Sequence, residues 1–84
     1  MIGVTVLGAT GTIGLNTLDV LERHADRYRV VALTAHRDVE RMAELCLRYR
    51  PKHAVMADED GAQRLHGRLR GEGLEVEVLG DPDP

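Results

Sequence analysis

Gly8-Ala9-Thr10-Gly11-Thr12-Ile13-Gly14 sets three glycines at a spacing of three, directly after one hydrophobic run and directly before another. The preceding run, Gly3 to Leu7 (Gly-Val-Thr-Val-Leu), is short, apolar and β-branched, and reads as a strand. From Thr12 to Asp26 the period changes to that of a helix, with Ile13, Thr17, Leu18, Leu21 and Ala25 sharing one face. Arg29 to Thr34 returns to strand character. A strand, a glycine turn, a helix and a second strand make a βαβ unit, and such a crossover implies parallel pairing of its two strands.

The rest of the chain repeats that alternation. Val30-Val31-Ala32-Leu33 is continuously apolar, as in a strand covered on both faces. Val39 to Arg50 carries Val39, Met42, Ala43, Cys46 and Leu47 at the spacing of a buried helical stripe. Pro51 ends it, because proline cannot continue the ladder and disfavours helix in the residue before it. Lys52 to Ala57 supplies a third strand. Asp58 is placed to cap a third helix with Ala62, Leu65 and Leu69 inward, weakened at Gly61 and Gly67. Leu74 to Leu79 alternates, with Leu74, Val76 and Val78 opposite Glu75 and Glu77, which suits a strand with one wet face near a sheet edge. Asp81-Pro82-Asp83-Pro84 reads as loop. The order β-α-β-α-β-α-β predicts an α/β fold, a Rossmann-like doubly wound parallel sheet that is incomplete at this length.

In a strand–loop–helix context the glycines have separate tasks. Gly8 permits a tight turn, Gly11 lets backbone approach a pyrophosphate, and Gly14 lets helix and strand pack closely. Amides around Thr10, Gly11, Thr12 and Ile13 would face the phosphates at the positive helix end. A bare strand-to-helix turn needs glycine too, but the flanks favour a dinucleotide. A triphosphate loop is excluded by the missing Gly-Lys-Ser/Thr. The second strand ends Leu33-Thr34-Ala35-His36-Arg37-Asp38, with no acid before Asp38 to accept from a ribose 2′-hydroxyl. Arg37 comes first, and a guanidinium matches a phosphate through paired, charge-assisted hydrogen bonds. With His36 packing on adenine or donating to the phosphate, NADPH is favoured over NADH. Asp38 has two readings: an ordinary cap for the next helix, or a ligand contact that would need Arg37 and His36 to offset its charge.

Charge and composition narrow the remaining classes. Eleven Lys and Arg against 14 Asp and Glu leave a net −3, which argues against a nucleic-acid footprint. Two Tyr are the only aromatics, so base-stacking platforms are absent as well. The single Cys46 excludes an intramolecular disulfide and sits in an apolar stripe, a core position and not a nucleophile's. His24, His53 and His66 have no metal-ligand spacing, and neither a catalytic nor a metal site is assigned. No leader or membrane span is legible, and a soluble protein of a reducing cytoplasm is expected.

The glycine loop running into Asn16-Thr17-Leu18-Asp19, then Tyr28-Arg-Val-Val-Ala-Leu-Thr-Ala35, Cys46, Pro51 and Ala54-Val55-Met56, resembles the N-terminal end of the 1-deoxy-D-xylulose 5-phosphate reductoisomerase family. The likeness runs from about Val4 to Leu79. It implies that residues 1–84 are the first part of an NADPH-binding domain, with the catalytic and C-terminal domains elsewhere and this chain inactive alone. It also implies isomerisation of 1-deoxy-D-xylulose 5-phosphate and its reduction to 2-C-methyl-D-erythritol 4-phosphate, in non-mevalonate isoprenoid biosynthesis. A bacterial cytoplasmic homodimer is implied, with a divalent metal, magnesium or manganese, held outside this chain. The Thr10 to Ile13 positions match the family's phosphate-binding turn. The family's common Gly-Lys/Arg-Asn reads His36-Arg37-Asp38 here, so Arg37 keeps the basic role while His36 and Asp38 depart. Another NADP-dependent oxidoreductase, such as a semialdehyde dehydrogenase, explains the loop and Arg37 but not the later matches. A dinucleotide-binding module without chemistry is the alternative outside enzymes.

Overall fold

Parallel strands need crossovers, and each connection here runs through a helix. The computed structural model describes residues 2–80, and the expected loop at Asp81 to Pro84 lies outside them. The elements are β1 (Ile2–Val6), α1 (Thr12–Arg23), β2 (Tyr28–Ala35), α2 (Val39–Tyr49), β3 (His53–Met56), α3 (Glu59–Gly71) and β4 (Glu77–Gly80). Among the described residues the strands form one parallel sheet in the order β1-β2-β3-β4. The α/β class and element order are as the sequence implies. β4 lies at an outer edge, as its wet face suggests, and β1 occupies the other edge.

Consecutive pairing through crossovers of one hand sets the three helices in a single layer. Ion pairs tie that layer together: Arg48 to Glu22 at 2.8 Å between α2 and α1, and Arg68 to Glu40 at 3.1 Å between α3 and α2. The core lies between helices and sheet, where Leu18, Leu33, Met42, Cys46, Met56, Leu65 and Leu69 are fully buried. Leu65 and Leu69 fill the positions expected of them, as do Met42 and Cys46, while Leu47 is half-buried. Burial pushes the Cys46 thiol up from its ordinary 9.0 to about 11, which leaves it a poor nucleophile.

Three expectations change. The packed face of α1 is Gly14 and Leu18, with Leu15 and Leu21 half-buried; Ile13 is 82% exposed, and Thr17 and Ala25 face solvent. The helix ends at Arg23, where residues 24–27 turn. The apolar run of β2 has a different origin from two-sided burial. Its register against β1 slips by one residue between Val4 and Thr5, leaving Val31 as the extra residue of a bulge. Gly3 accommodates that bulge, since a Cβ there would come within 2.6 Å of the Val31 side chain. Val31, Ala32 and Val55 are half-buried and Leu79 is exposed, on the sheet face opposite the helices. His53 and Glu77 pair across that open face at 3.1 Å. The Gly61 reading also shifts: the residue is buried, and an added Cβ would lie 3.0 Å from the Asp58 carboxylate. Among the described residues no helix is long and apolar enough to cross a membrane.

Candidate cofactor-binding site

The residues expected to bind the cofactor, Gly8 to Gly14 and His36 to Asp38, fall at the carboxyl ends of β1 and β2, two neighbouring strands of the sheet. This is the edge of an open α/β sheet where ligands bind. Gly8 turns the chain out of β1 with φ at +62°, a left-handed conformation that disfavours any side chain. Two bonds then fasten the loop to β2: the Gly8 amide donates to Thr34 Oγ1 at 3.0 Å, and the Ala9 amide donates to the Thr34 carbonyl at 2.7 Å. Thr34 therefore positions the loop, a role no local pattern in the sequence announces.

The other two glycines contrast. A Cβ on Gly14 would overlap the Gly8 carbonyl oxygen and lie 2.8 Å from the Ala9 Cα, so close packing of α1 on the turn requires glycine. At Gly11 the same Cβ would meet only the Gly8 oxygen, at an ordinary 3.4 Å. Its backbone is extended, with φ −83° and ψ 169°, open to any residue. The protein itself thus places no demand for glycine at position 11. What a side chain there would obstruct is the space outside the loop, which is the space a ligand would use.

The start of α1 differs from the other two helix starts in the same sense. Asp38 caps α2 by accepting from the Arg41 amide at 3.0 Å, and Asp58 caps α3 by accepting from the Gly61 amide at 2.6 Å. Each of those helices also carries acid in its first turn. Helix α1 has no side-chain cap and no acid in its first turn. Among the described residues the amides of Thr12, Ile13 and Gly14 find no backbone acceptor outside the helix. Donors and the positive end of the helix dipole are left open, an arrangement that suits an anion. Thr10 is half-buried in the turn, whereas Thr12 and Ile13 are exposed beside the opening. Leu7, 76% exposed, adds a second apolar side chain to this rim that sequence reading did not single out.

His36 and Arg37 lie exposed in the bend between β2 and α2, and the His36 carbonyl accepts from the Ala57 amide at 3.3 Å. Arg37 makes no ion pair among the described residues. Asp38 is engaged as the cap, so its carboxylate is turned to its own helix. A divalent metal does not fit these residues: among those described, no three His, Cys, Asp or Glu side chains group to hold one. A surface depression of about 520 Å³ around His66, Arg70 and Leu74 lies at the opposite end of the sheet and shares no residue with the loop.

Residues 4–83 match the family profile of 1-deoxy-D-xylulose 5-phosphate reductoisomerase. The curated enzyme of that name from Methylobacillus flagellatus is 60% identical over 76 residues, which are 90% of this chain and 19% of that protein. A solved reductoisomerase structure from Zymomonas mobilis, in complex with NADPH, superposes with a TM-score of 0.84 at 47% identity, over 94% of this chain and 20% of that one. A second, in complex with NADPH, fosmidomycin and magnesium, gives 0.90 at 30% identity, over 96% and 20%. The chain spans about a fifth of the length of the relatives it matches. A profile match across nearly the whole chain, on a fold shared at these identities, means that this chain belongs to the 1-deoxy-D-xylulose 5-phosphate reductoisomerase family.

Proposed function

We propose that this chain forms the first part of the NADPH-binding domain of a reductoisomerase that converts 1-deoxy-D-xylulose 5-phosphate to 2-C-methyl-D-erythritol 4-phosphate. The observation that carries the reading is the geometry at the start of α1: amides without an acceptor among the described residues, no acid in the first turn, and a Gly11 whose own surroundings do not require glycine. The pyrophosphate of NADPH fits there, held by the amides of Thr12, Ile13 and Gly14. Gly8 and Thr10 shape the turn, and Ile13 covers part of the cofactor. Arg37, one strand over, takes the ribose 2′-phosphate, with His36 beside it and Asp38 ordering the bend as a cap. When bound, NADPH supplies the hydride that reduces the aldehyde formed by isomerisation. The residues of this chain bind and orient the cofactor and carry no proton transfer.

The relatives add support: a family member from Zymomonas mobilis binds NADPH, and another binds NADPH with magnesium. Magnesium or manganese belongs to the part of the enzyme outside these residues, together with the substrate site. We include in the proposal a homodimer in the bacterial cytoplasm, in keeping with bacterial relatives. Family membership favours this activity over a semialdehyde dehydrogenase or a non-catalytic module.

Calorimetric titration of the full-length protein tests the cofactor reading. NADPH is expected to bind more tightly than NADH, and Arg37→Ala to weaken NADPH by about 1.5–3 kcal/mol while changing NADH little. Equal affinities for the two cofactors would sink it. NADPH oxidation dependent on 1-deoxy-D-xylulose 5-phosphate tests the substrate.

A further inference from the structure

Arg37 does not face solvent alone. A cleft of about 190 Å³ opens between the bend after β2 and the start of α3, lined by Arg37, Val39, Asp58, Asp60, Gly61 and Arg64. Its volume is below the roughly 300 Å³ of a pocket for a whole small molecule, so it suits one end of a larger ligand. Two of its six lining residues are arginines, one from each side. The placement of Arg64 follows from the helix repeat. Arg68, four residues on, reaches across to Glu40 in the first turn of α2 at 3.1 Å, so this stripe of α3 faces the amino end of α2. Arg64 stands one turn nearer the carboxyl edge of the sheet, opposite Val39 and Arg37.

The acids around the cleft are largely committed. Asp58 is held on the Gly61 amide at 2.6 Å, Asp38 on the Arg41 amide at 3.0 Å, and Glu40 is neutralised by Arg68. Among the described residues Asp60 alone competes for Arg64, at a long 4.0 Å and with both side chains well exposed. Such a contact holds its arginine weakly and yields to a phosphate dianion.

We infer that Arg64 is a second specificity-determining residue, which leaves Asp60 and joins Arg37 in gripping the 2′-phosphate of NADPH. The inference rests on the cofactor reading above and extends it to a residue on a different element. Two guanidiniums from opposite walls match a dianion with three acceptor oxygens, whereas NADH offers neither anything to bind.

Titration of full-length variants with NADPH and with NADH, at matched ionic strength, tests it. Arg64→Gln is expected to weaken NADPH about tenfold and leave NADH within about twofold, with the melting temperature of the cofactor-free protein unchanged. Asp60→Asn is expected to do the reverse and tighten NADPH, because it frees Arg64 and removes a carboxylate; adding Arg64→Gln should remove the share of that gain that comes from freeing Arg64, leaving a smaller one. Unchanged NADPH affinity in Arg64→Gln, beside a clear loss in Arg37→Ala, overturns the role of Arg64 and leaves the cofactor reading intact. Equal losses for both cofactors overturn it too, by showing that Arg64 acts through the fold. If the parent protein does not prefer NADPH, both readings fall together.

Discussion

Gly11 and Gly14 occupy equivalent places in a repeating pattern, yet their surroundings set opposite constraints. Position 14 is closed by the protein: a methyl group would overlap the Gly8 carbonyl and the Ala9 backbone. Gly14→Ala is therefore expected to destabilise the fold by about 1–3 kcal/mol, the usual range for overpacking, as read by urea denaturation. Position 11 is open, and Gly11→Val should leave the unfolding midpoint nearly unchanged while eliminating NADPH binding. Retained binding in that variant would reduce the loop to a turn. Cys46 supplies a pH signature at the same scale. Its thiol, raised to about 11 when folded against 9.0 when unfolded, stabilises the fold fully below pH 9. That contribution is expected to disappear as the pH rises from about 9 toward 11, and a Cys46→Ala variant should lack this part of the alkaline decline in melting temperature.

Among the elements, α2 and α3 stop their own amides with aspartates and α1 does not. Asp58→Ala is expected to cost about 0.5–2 kcal/mol in denaturant unfolding, since nothing else among the described residues satisfies the Gly61 amide. The apolar stripe of α2 and both aspartate caps were legible in the sequence because each depends on residues within one or two turns. The glycine loop was legible for the same reason, as was Arg37 following the second strand. The packed face of α1 was not, because contact with the Gly8-Ala9 turn selects Gly14 and Leu18, and periodicity alone cannot weigh a glycine that packs by having no side chain. The bulge at Val31 escaped for a related reason: an extra residue in one strand shows only against its partner's register. Thr34 is likewise a product of pairing between distant segments.

For the whole molecule, the helices cover one face of the sheet and leave Val31, Val55 and Leu79 on the other, alongside the His53–Glu77 pair. Parallel sheets are ordinarily covered on both faces. Expressed as these 84 residues, the chain is expected to bind a hydrophobic dye and to self-associate with rising concentration, as read by fluorescence and sedimentation. A monomeric, dye-silent species would show that the half-bare sheet is stable in water. The strand order has a further effect, on how such a layer is made. Every strand pairs with the one synthesised just before it, so each βαβ step can close as soon as its second strand leaves the ribosome, without waiting for distant sequence. Among the described strands the layer can therefore grow from β1 toward β4, and the cofactor loop is shaped once β2 provides Thr34. Within these residues the outer edge of β1 and the bare face gain no partner as the layer grows, which makes them the surfaces a chaperone would have to shield.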